Sequence, residues 1–321
     1  EIDGPESSGK TTLALSLIAN CQRQGGNVLY IDTEHSLDPF YAEALGVDMD
    51  NMIIAQPETA EQALNLAEKS PRAGIHMYVV DTVASMSPIV EMDEKDIGDS
   101  TVGLLARLMS QMMRKTVGPV SLNNICAIYI NQIREKIGVP ANANPETTPG
   151  GRALKFASSM RIDVRRIGNA KSAAGNDKEL GNRVRIRMVK NKMAPPFRNA
   201  EVDIIFGKGF DVVGGWIEMA LSVSVLVLKG SWISLEEKNI SQGLGNLVTK
   251  LEQDPELFEK IKEATMKRYE ELNGPVIEEA PSGEESVDDV DSGGPVTVPF
   301  MEVSEGTSTS ETEEDPYLNG G

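Results

Sequence analysis

The first twelve residues constrain this chain more than any other stretch, because they contain a complete phosphate-binding loop pattern. Residues 4–11 read GPESSGKT, which fits G-x-x-x-x-G-K-[ST]. The two glycines let the backbone curl so that successive N–H groups point at phosphate oxygens, while Lys10 reaches the terminal phosphates and Thr11 offers its hydroxyl to Mg²⁺. An apolar helix follows from residue 12, and its N-terminal end also favours phosphate.

The alternative interpretation is a Gly-rich turn before a core helix, but the expected loop-to-helix context favours a nucleoside triphosphate site. The residues predicted to line it are Gly4, Pro5, Glu6, Ser7, Ser8, Gly9, Lys10, Thr11 and Thr12.

Four short apolar runs, each with polar residues at its C-terminal end, punctuate the first 170 residues at 27–31, 77–80, 125–130 and 160–164. Such runs are typical of buried parallel strands that lead into functional loops. Helical patterns lie between them at about 38–46, 59–70 and 101–116. The alternation predicts an α/β fold with a largely parallel central sheet flanked by helices. Arginines then alternate with apolar residues over 183–188, which predicts a half-exposed strand with one arginine face.

We predict three parts of the chain: an ATPase-type core at 1–211, a small α/β C-terminal domain at 212–275 and a disordered acidic tail at 276–321. The net charge of −18 at first argues against a nucleic-acid partner, but its distribution matters more than its sum. Thirteen acidic residues and no Lys or Arg follow Pro275. The preceding residues are nearly balanced in charge, so most of the acidity belongs to the tail.

Two carboxylates follow predicted strands where a nucleotide site needs them. Glu34 lies just past the second strand, near enough to a γ-phosphate to orient or deprotonate an attacking water. Asp81 ends an apolar strand in the Walker B manner, so Thr11 and Asp81 are the predicted Mg²⁺-site residues. A solvated loop acid for Glu34 and a helix N-cap for Asp81 are the alternatives.

Gln132 ends the third strand and begins a polar, Pro/Gly-rich loop that runs to Gly151. A loop of that length within a compact domain is usually functional, and a glutamine there can sense a γ-phosphate. The loop also carries Arg134 and Lys136. Arg107 and Arg114 share one face of the helix after a second candidate loop, so both could follow a phosphate backbone; a solvated basic face is the alternative.

Several motifs are spread over the first two thirds of the chain: GPESSGKTT at 4–12, IDTEHSLDP at 31–39, QPET at 56–59, NQIR at 131–134, NPETTPGG at 144–151, ALKF at 153–156, RRIG at 165–168 and VKNK at 189–192. Together they make the chain resemble the bacterial-type RecA recombinases almost without gaps from residue 1 to about 211. The second loop departs from the family, because residues 139–144 read VPANAN where bacterial members have a Met-Phe pair.

The resemblance implies a single-stranded-DNA-dependent ATPase that forms a helical filament on DNA and exchanges strands with a homologous duplex. It implies Glu34 as catalytic base, Asp38 and Tyr41 around the adenine, and Gln132 as the link to the second DNA loop. Segments 95–103 and 133–148 match the two DNA loops. Lys190 and Lys192 match lysines that reach the ATP of the neighbouring subunit. The residues that match a duplex-binding patch are Arg165, Arg166, Arg185 and Arg187.

Two other functions remain open at this stage: a RecA-fold motor such as a hexameric helicase, and a hydrolysis-dead DNA-binding scaffold. ATP and Mg²⁺ are the expected cofactors, and single-stranded and duplex DNA the expected partners. The family's N-terminal helix and strand are not found, so we expect an N-terminally truncated sequence, which puts filament formation by this chain in question. The sequence has no signal peptide and no apolar run of membrane-spanning length, so we expect a cytoplasmic protein with no membrane partner.

Overall fold

The apolar runs of the sequence form a central β-sheet in the computed structural model, which describes residues 1–93, 103–135, 138, 140, 145–171 and 179–273. The strands are β1 (Ile2–Gly4), β2 (Val28–Asp32), β3 (Met52–Ala55), β4 (Met77–Asp81), β5 (Cys126–Gln132), β6 (Arg134–Glu135), β7 (Glu146–Thr147), β8 (Met160–Lys171), β9 (Glu179–Asn191), β10 (Asn199–Ile205), β11 (Gly209–Phe210), β12 (Leu226–Lys229), β13 (Trp232–Leu235) and β14 (Lys238–Gln242).

Nine of the described strands form one mixed sheet in the order β11-β10-β9-β8-β1-β5-β4-β2-β3. The half from β8 to β3 is parallel, and the half from β8 to β11 is antiparallel. The short strands β6 and β7 pair with each other as a separate antiparallel ribbon. The carboxyl ends of β1, β2, β4 and β5 therefore lie together at one edge, where α/β sheets bind ligands.

The described residues form nine α-helices, several of which cover the two faces of this sheet. They are α1 (Lys10–Arg23), α2 (Pro39–Ala44), α3 (Ala60–Lys69), α4 (Ile89–Asp93), α5 (Leu104–Leu122), α6 (Ala153–Ala157), α7 (Val212–Ser222), α8 (Leu244–Gln253) and α9 (Pro255–Asn273).

Alternation along the strands divides the core into two layers. Val28 and Tyr30 face α1 and pack with Leu15 and Ile18, whereas Leu29 and Ile31 face the opposite layer, which contains buried residues of α3 and α5. Ile217, Leu226, Ile233, Leu247 and Ile261 form a third apolar cluster that joins α7, α8 and α9 to the three-stranded sheet β12-β13-β14.

The α/β architecture predicted from the sequence is confirmed, although several elements differ; the edge strand β3, for example, was not predicted. The run at 160–164 continues to Lys171, because Arg165 and Arg166, which end its apolar pattern, themselves pair antiparallel with Arg185 and Val184 of β9. The helix predicted at 101–116 is observed over Leu104–Leu122. The predicted divisions at residues 211 and 275 remain predictions, and the acidic tail at 276–321 lies outside the described residues. Among the residues that the structure describes, no helix is both long enough and apolar enough to cross a bilayer.

The core contains one polar pair that tests how it is stabilised. The hydroxyls of Tyr78 and Tyr129 lie 2.9 Å apart, and both side chains are buried. Burial raises the pKa of Tyr78 to about 12. Tyr129→Phe leaves the Tyr78 hydroxyl buried without this partner, so we expect the free energy of unfolding to fall by about 1–3 kcal/mol.

Urea denaturation of Tyr78→Phe, of Tyr129→Phe and of the double variant measures the coupling between the two hydroxyls. Removing both should cost less than the sum of the single changes, because no orphaned hydroxyl remains. Strictly additive losses would contradict this account.

Candidate functional site: a phosphate loop and its flanking cationic surface

The phosphate-binding loop connects β1 to α1, as the sequence predicts. A Cβ atom on Gly4 would lie 2.2 Å from the carbonyl oxygen of Val164, and Gly9 adopts a φ of +98°. Both positions therefore require glycine. Lys10 is buried, and its Nζ donates to the carbonyl oxygen of Pro5 at 2.6 Å within the loop. Burial lowers the pKa of Lys10, and the nearby carboxylates of Asp81 and Glu34 partly offset that shift.

Asp81 lies at the carboxyl end of β4, where it is 3% exposed. Its Oδ2 atom accepts hydrogen bonds from Thr11 Oγ1 at 2.8 Å and from Tyr30 OH at 2.7 Å. Its Oδ1 atom is buried and has no hydrogen-bond partner among the described residues. Burial raises the pKa of Asp81, and the two hydroxyl donors lower it. An oxygen-rich site with one buried acceptor unsatisfied fits a hydrated divalent cation.

Glu34 is held by groups from two other strands. Its Oε1 atom accepts from Gln132 Nε2 at the end of β5 and from Thr82 Oγ1 just after β4, each at 2.8 Å. The structure thus brings together Glu34 and Gln132, which are 98 residues apart in sequence. The contact joins the predicted base to the strand that leads into the 133–148 loop.

The segment that carries Glu34 is fixed by Asp32. The Asp32 carboxylate accepts from the backbone N–H groups of Ser36 and Leu37, both at 3.3 Å, and from Gln56 Nε2 at 3.1 Å. These bonds close the turn after β2, so Glu34 projects from a constrained loop.

The predicted adenine residues lie close to the loop helix, but they have different local roles. Asp38 Oδ1 caps α2 by accepting from the N–H groups of Phe40 and Tyr41. Tyr41 OH lies 2.9 Å from Thr12 Oγ1, next to the phosphate loop. Tyr41 therefore contacts the loop helix directly, whereas Asp38 acts by positioning the helix that carries Tyr41.

The predicted duplex-binding arginines lie on the antiparallel half of the sheet, and most are already paired. Arg165 contacts the carboxylates of Asp163 and Glu146 at 2.7–3.0 Å. Arg185 donates to Glu201 at 2.9–3.0 Å. The strand register places Arg165, Arg185 and Glu201 side by side in one row.

Arg187 and Arg166 differ from that row. Arg187 is exposed and has no side-chain partner among residues with described positions. Arg166 pairs in register with Val184 and not with Arg185, so it belongs to the other face of the sheet. Its guanidinium donates to Gly168 O and Asn169 Oδ1. The predicted patch therefore divides between two faces.

The remaining predicted DNA contacts are solvent-facing. Arg107 and Arg114 are exposed on α5, and Arg114 donates to Ser110 Oγ. Arg134 is exposed on β6, opposite Thr147 of β7. Lys136, residues 94–102 of the first loop and most of residues 136–144 lie outside the described residues.

Lys190 and Lys192 lie at the end of β9. Lys190 Nζ donates to the carbonyl oxygens of Lys155 and Phe156 at 2.9 and 3.0 Å, at the end of α6. Lys192 is exposed. Lys190 also borders a cavity of about 590 Å³, whose lining includes Arg152, Lys155 and Arg161. Several basic side chains therefore line this cavity.

Sequence reasoning missed the roles of Tyr30 and Thr82. Both hydroxyls contact carboxylates of the site, yet neither position belongs to a recognised motif. The sequence did contain one signal for Tyr30. A buried tyrosine usually directs its hydroxyl to a polar partner, and Tyr30 lies on the same face of β2 as Asp32, two residues further on.

Comparison with known proteins identifies the family. A sequence model of the RecA N-terminal domain matches residues 1–211, and one of the RecA C-terminal domain matches residues 214–270. The chain is 50% identical to Protein RecA of Clostridioides difficile over 270 residues, which are 84% of this chain and 76% of that protein.

Two further relatives give the same result. Identity to Protein RecA of Halalkalibacterium halodurans is 49% over 289 residues, or 90% of this chain and 81% of the relative. Identity to Protein RecA of Bacillus subtilis is 48% over 290 residues, or 90% and 82% respectively. With the phosphate loop and the Glu34–Gln132 contact, these matches show that the chain belongs to the RecA family, the DNA-dependent ATPases of homologous recombination and DNA repair.

Proposed function

We propose that this chain hydrolyses ATP at the phosphate loop with Glu34 as the base that activates the attacking water. The observation that carries the proposal is the pair of hydrogen bonds that Glu34 accepts from Gln132 and Thr82. They use one carboxylate oxygen, so the other is available to a water. A fixed carboxylate needs little reorganisation before it takes up a proton.

The cation site is proposed at Thr11 and Asp81. Thr11 donates its only hydroxyl proton to Asp81, which leaves its oxygen lone pairs available to a metal. The unpartnered Asp81 Oδ1 is available to a metal-bound water. Mg²⁺ bound there would neutralise negative charge on the transferring phosphate.

Gln132 is proposed to report the nucleotide state to DNA. Its side chain contacts Glu34 beside the nucleotide, and its backbone continues directly into Ile133 and β6. A ligand that pulls Gln132 from Glu34 would shift the base of the 133–148 loop. That loop carries Arg134, which we assign with Lys136, Arg107 and Arg114 to single-stranded DNA.

We assign duplex DNA to a second surface made by Arg165, Arg185 and Arg187. Arg166, the fourth predicted residue, lies on the other face of the sheet. Arg165 and Arg185 already form ion pairs with carboxylates. Phosphates must therefore displace these carboxylates, whereas Arg187, next to that row, is exposed and has no side-chain partner among the described residues.

Self-association into a filament is proposed to bring Lys190 and Lys192 to the nucleotide of a neighbouring subunit, where they would act like arginine fingers. Within one chain, Lys190 is bound to α6 carbonyls and is not in contact with the loop. We also propose the division into a core at 1–211, a small domain at 212–275 and an acidic tail that competes with DNA.

The role of Glu34 is tested by Glu34→Gln. We expect the turnover number for ATP hydrolysis to fall by about 10²–10⁴-fold, because the amide cannot accept a proton. Affinities for ATP and for single-stranded DNA should stay near those of the wild type. Glu43→Gln is the matched control. It neutralises a different exposed carboxylate, which lies on α2, and should retain turnover. Near wild-type turnover in Glu34→Gln would remove Glu34 from the base role.

The loop assignment is tested by Arg134→Ala. We expect weaker binding of single-stranded DNA and a smaller dependence of log K on log salt, by about one phosphate contact. Fluorescence anisotropy across a salt series measures both. Arg72→Ala is the control, because Arg72 is exposed but precedes β4, at the opposite edge of the sheet. Equal effects of the two changes would contradict the assignment.

The Arg185–Glu201 ion pair on the second surface predicts that removing an acidic residue strengthens DNA binding. Glu201→Gln releases Arg185, so we expect duplex DNA to bind about two- to fivefold more tightly at low salt, the scale of an exposed ion pair worth ~0.2–1 kcal/mol. Arg187→Ala should weaken duplex binding more than Arg185→Ala. If Glu201→Gln weakens duplex binding, the Arg185–Glu201 pair does not limit access of DNA.

A further inference from the structure

Tyr30 places one hydroxyl group at the base of the nucleotide site. The residue lies on β2 and is 1% exposed, and its ring packs in the apolar layer against α1. Its OH donates to Asp81 Oδ2 on the neighbouring strand at 2.7 Å. The register pairs Tyr30 with Val79 and Asp32 with Asp81, so the ring reaches along the sheet toward the carboxyl end of β4.

Packing explains the ring of Tyr30 but not its hydroxyl. A phenylalanine would fill the same apolar space among Leu15, Ile18 and Val79 without a buried polar atom. Burying a hydroxyl is unfavourable unless it finds a partner. Asp81 is the hydrogen-bond partner of this hydroxyl within the described structure, so the polar group is directed at the carboxylate.

The hydrogen bond from Tyr30 determines which oxygen of the Asp81 carboxylate remains without a partner. Tyr30 and Thr11 both donate to Oδ2, which leaves Oδ1 without a partner. Thr11, in the first turn of α1, is itself a residue of the proposed cation site, whereas Tyr30 lies within the sheet and contacts that site only through Asp81. Tyr30 is therefore the donor that can hold the Asp81 carboxylate in one orientation while the Thr11 hydroxyl binds the cation.

We propose that Tyr30 is a positioning residue for the cation site, in which its hydroxyl holds Asp81 so that Oδ1 is presented to Mg²⁺ and its water. The inference rests on the proposed Thr11–Asp81 site and deepens it. Groups that orient metal-site carboxylates from behind typically change metal affinity by about 10–100-fold when removed.

The test is Tyr30→Phe in the 321-residue chain, with binding of N-methylanthraniloyl-ADP as readout. Affinity is measured in excess EDTA and across a Mg²⁺ titration. We expect the Mg²⁺ concentration that gives half of the Mg²⁺-dependent gain in affinity to rise about tenfold. Affinity in EDTA should not change, because the phosphate loop is intact. A general packing defect would instead lower both affinities.

Tyr78→Phe is the matched control. It removes another buried tyrosine hydroxyl from the strand that carries Asp81, but that hydroxyl pairs with Tyr129 and not with the site. Both affinities should match the wild type. Thermal unfolding of each variant shows that the comparison is made on folded protein.

Asp81→Asn separates the two levels of the proposal. If Asp81→Asn abolishes the Mg²⁺-dependent gain while Tyr30→Phe leaves the titration unchanged, the Tyr30 role is overturned and the cation site stands. If Asp81→Asn also keeps the full gain, the cation site fails and the Tyr30 role fails with it. Equal losses in EDTA and Mg²⁺ for Tyr30→Phe would assign the hydroxyl to packing alone.

Discussion

A buried carboxylate, Asp81, is the constraint on which the nucleotide site depends. Burial in the middle of a parallel sheet destabilises the charged form of this group, and hydrogen bonds from Thr11 and Tyr30 offset part of that cost. The compensation is incomplete, because Oδ1 has no partner in the described structure. A buried carboxylate with one unsatisfied oxygen is less stable alone than with a bound cation, which supports the cation site that we propose at Thr11 and Asp81.

The sheet topology extends that constraint to the rest of the site. Since β1, β5, β4 and β2 are parallel, their carboxyl ends place the phosphate loop, Gln132, Asp81 and Glu34 at one edge. Glu34 accepts hydrogen bonds from Thr82, just after β4, and from Gln132 of β5, so a movement of either strand end changes the position of Glu34. The proposed catalytic carboxylate therefore contacts directly the strand that leads into residues 133–148, the segment that we assign to DNA.

The sequence predicted the parts of the site that motifs and periodicity encode. Glycine spacing predicted the loop, and apolar runs that end in Asp81 and Gln132 predicted the strand ends. It did not predict the partners, because Tyr30 and Asp81 are 51 residues apart and meet only through strand register. The end of β8 was missed for a related reason: Arg165 and Arg166 end the apolar run, and their pairing with β9 depends on strand register.

The same cross-strand pairing shapes how the cationic surface works. Arg165 and Arg185 have carboxylate partners, whereas the side chains of Arg187, Arg134 and Arg107 have none among the described residues. An arginine that must first leave a carboxylate gains less from a phosphate than one that leaves only water. In the assignment that we propose, Arg134 and Arg107 are therefore the stronger initial contacts for DNA. If a duplex binds at Arg165 and Arg185, its phosphates must replace carboxylates, so that binding would be weak and reversible. Weak binding at a second surface would allow a duplex to be sampled and released while a single strand stays bound.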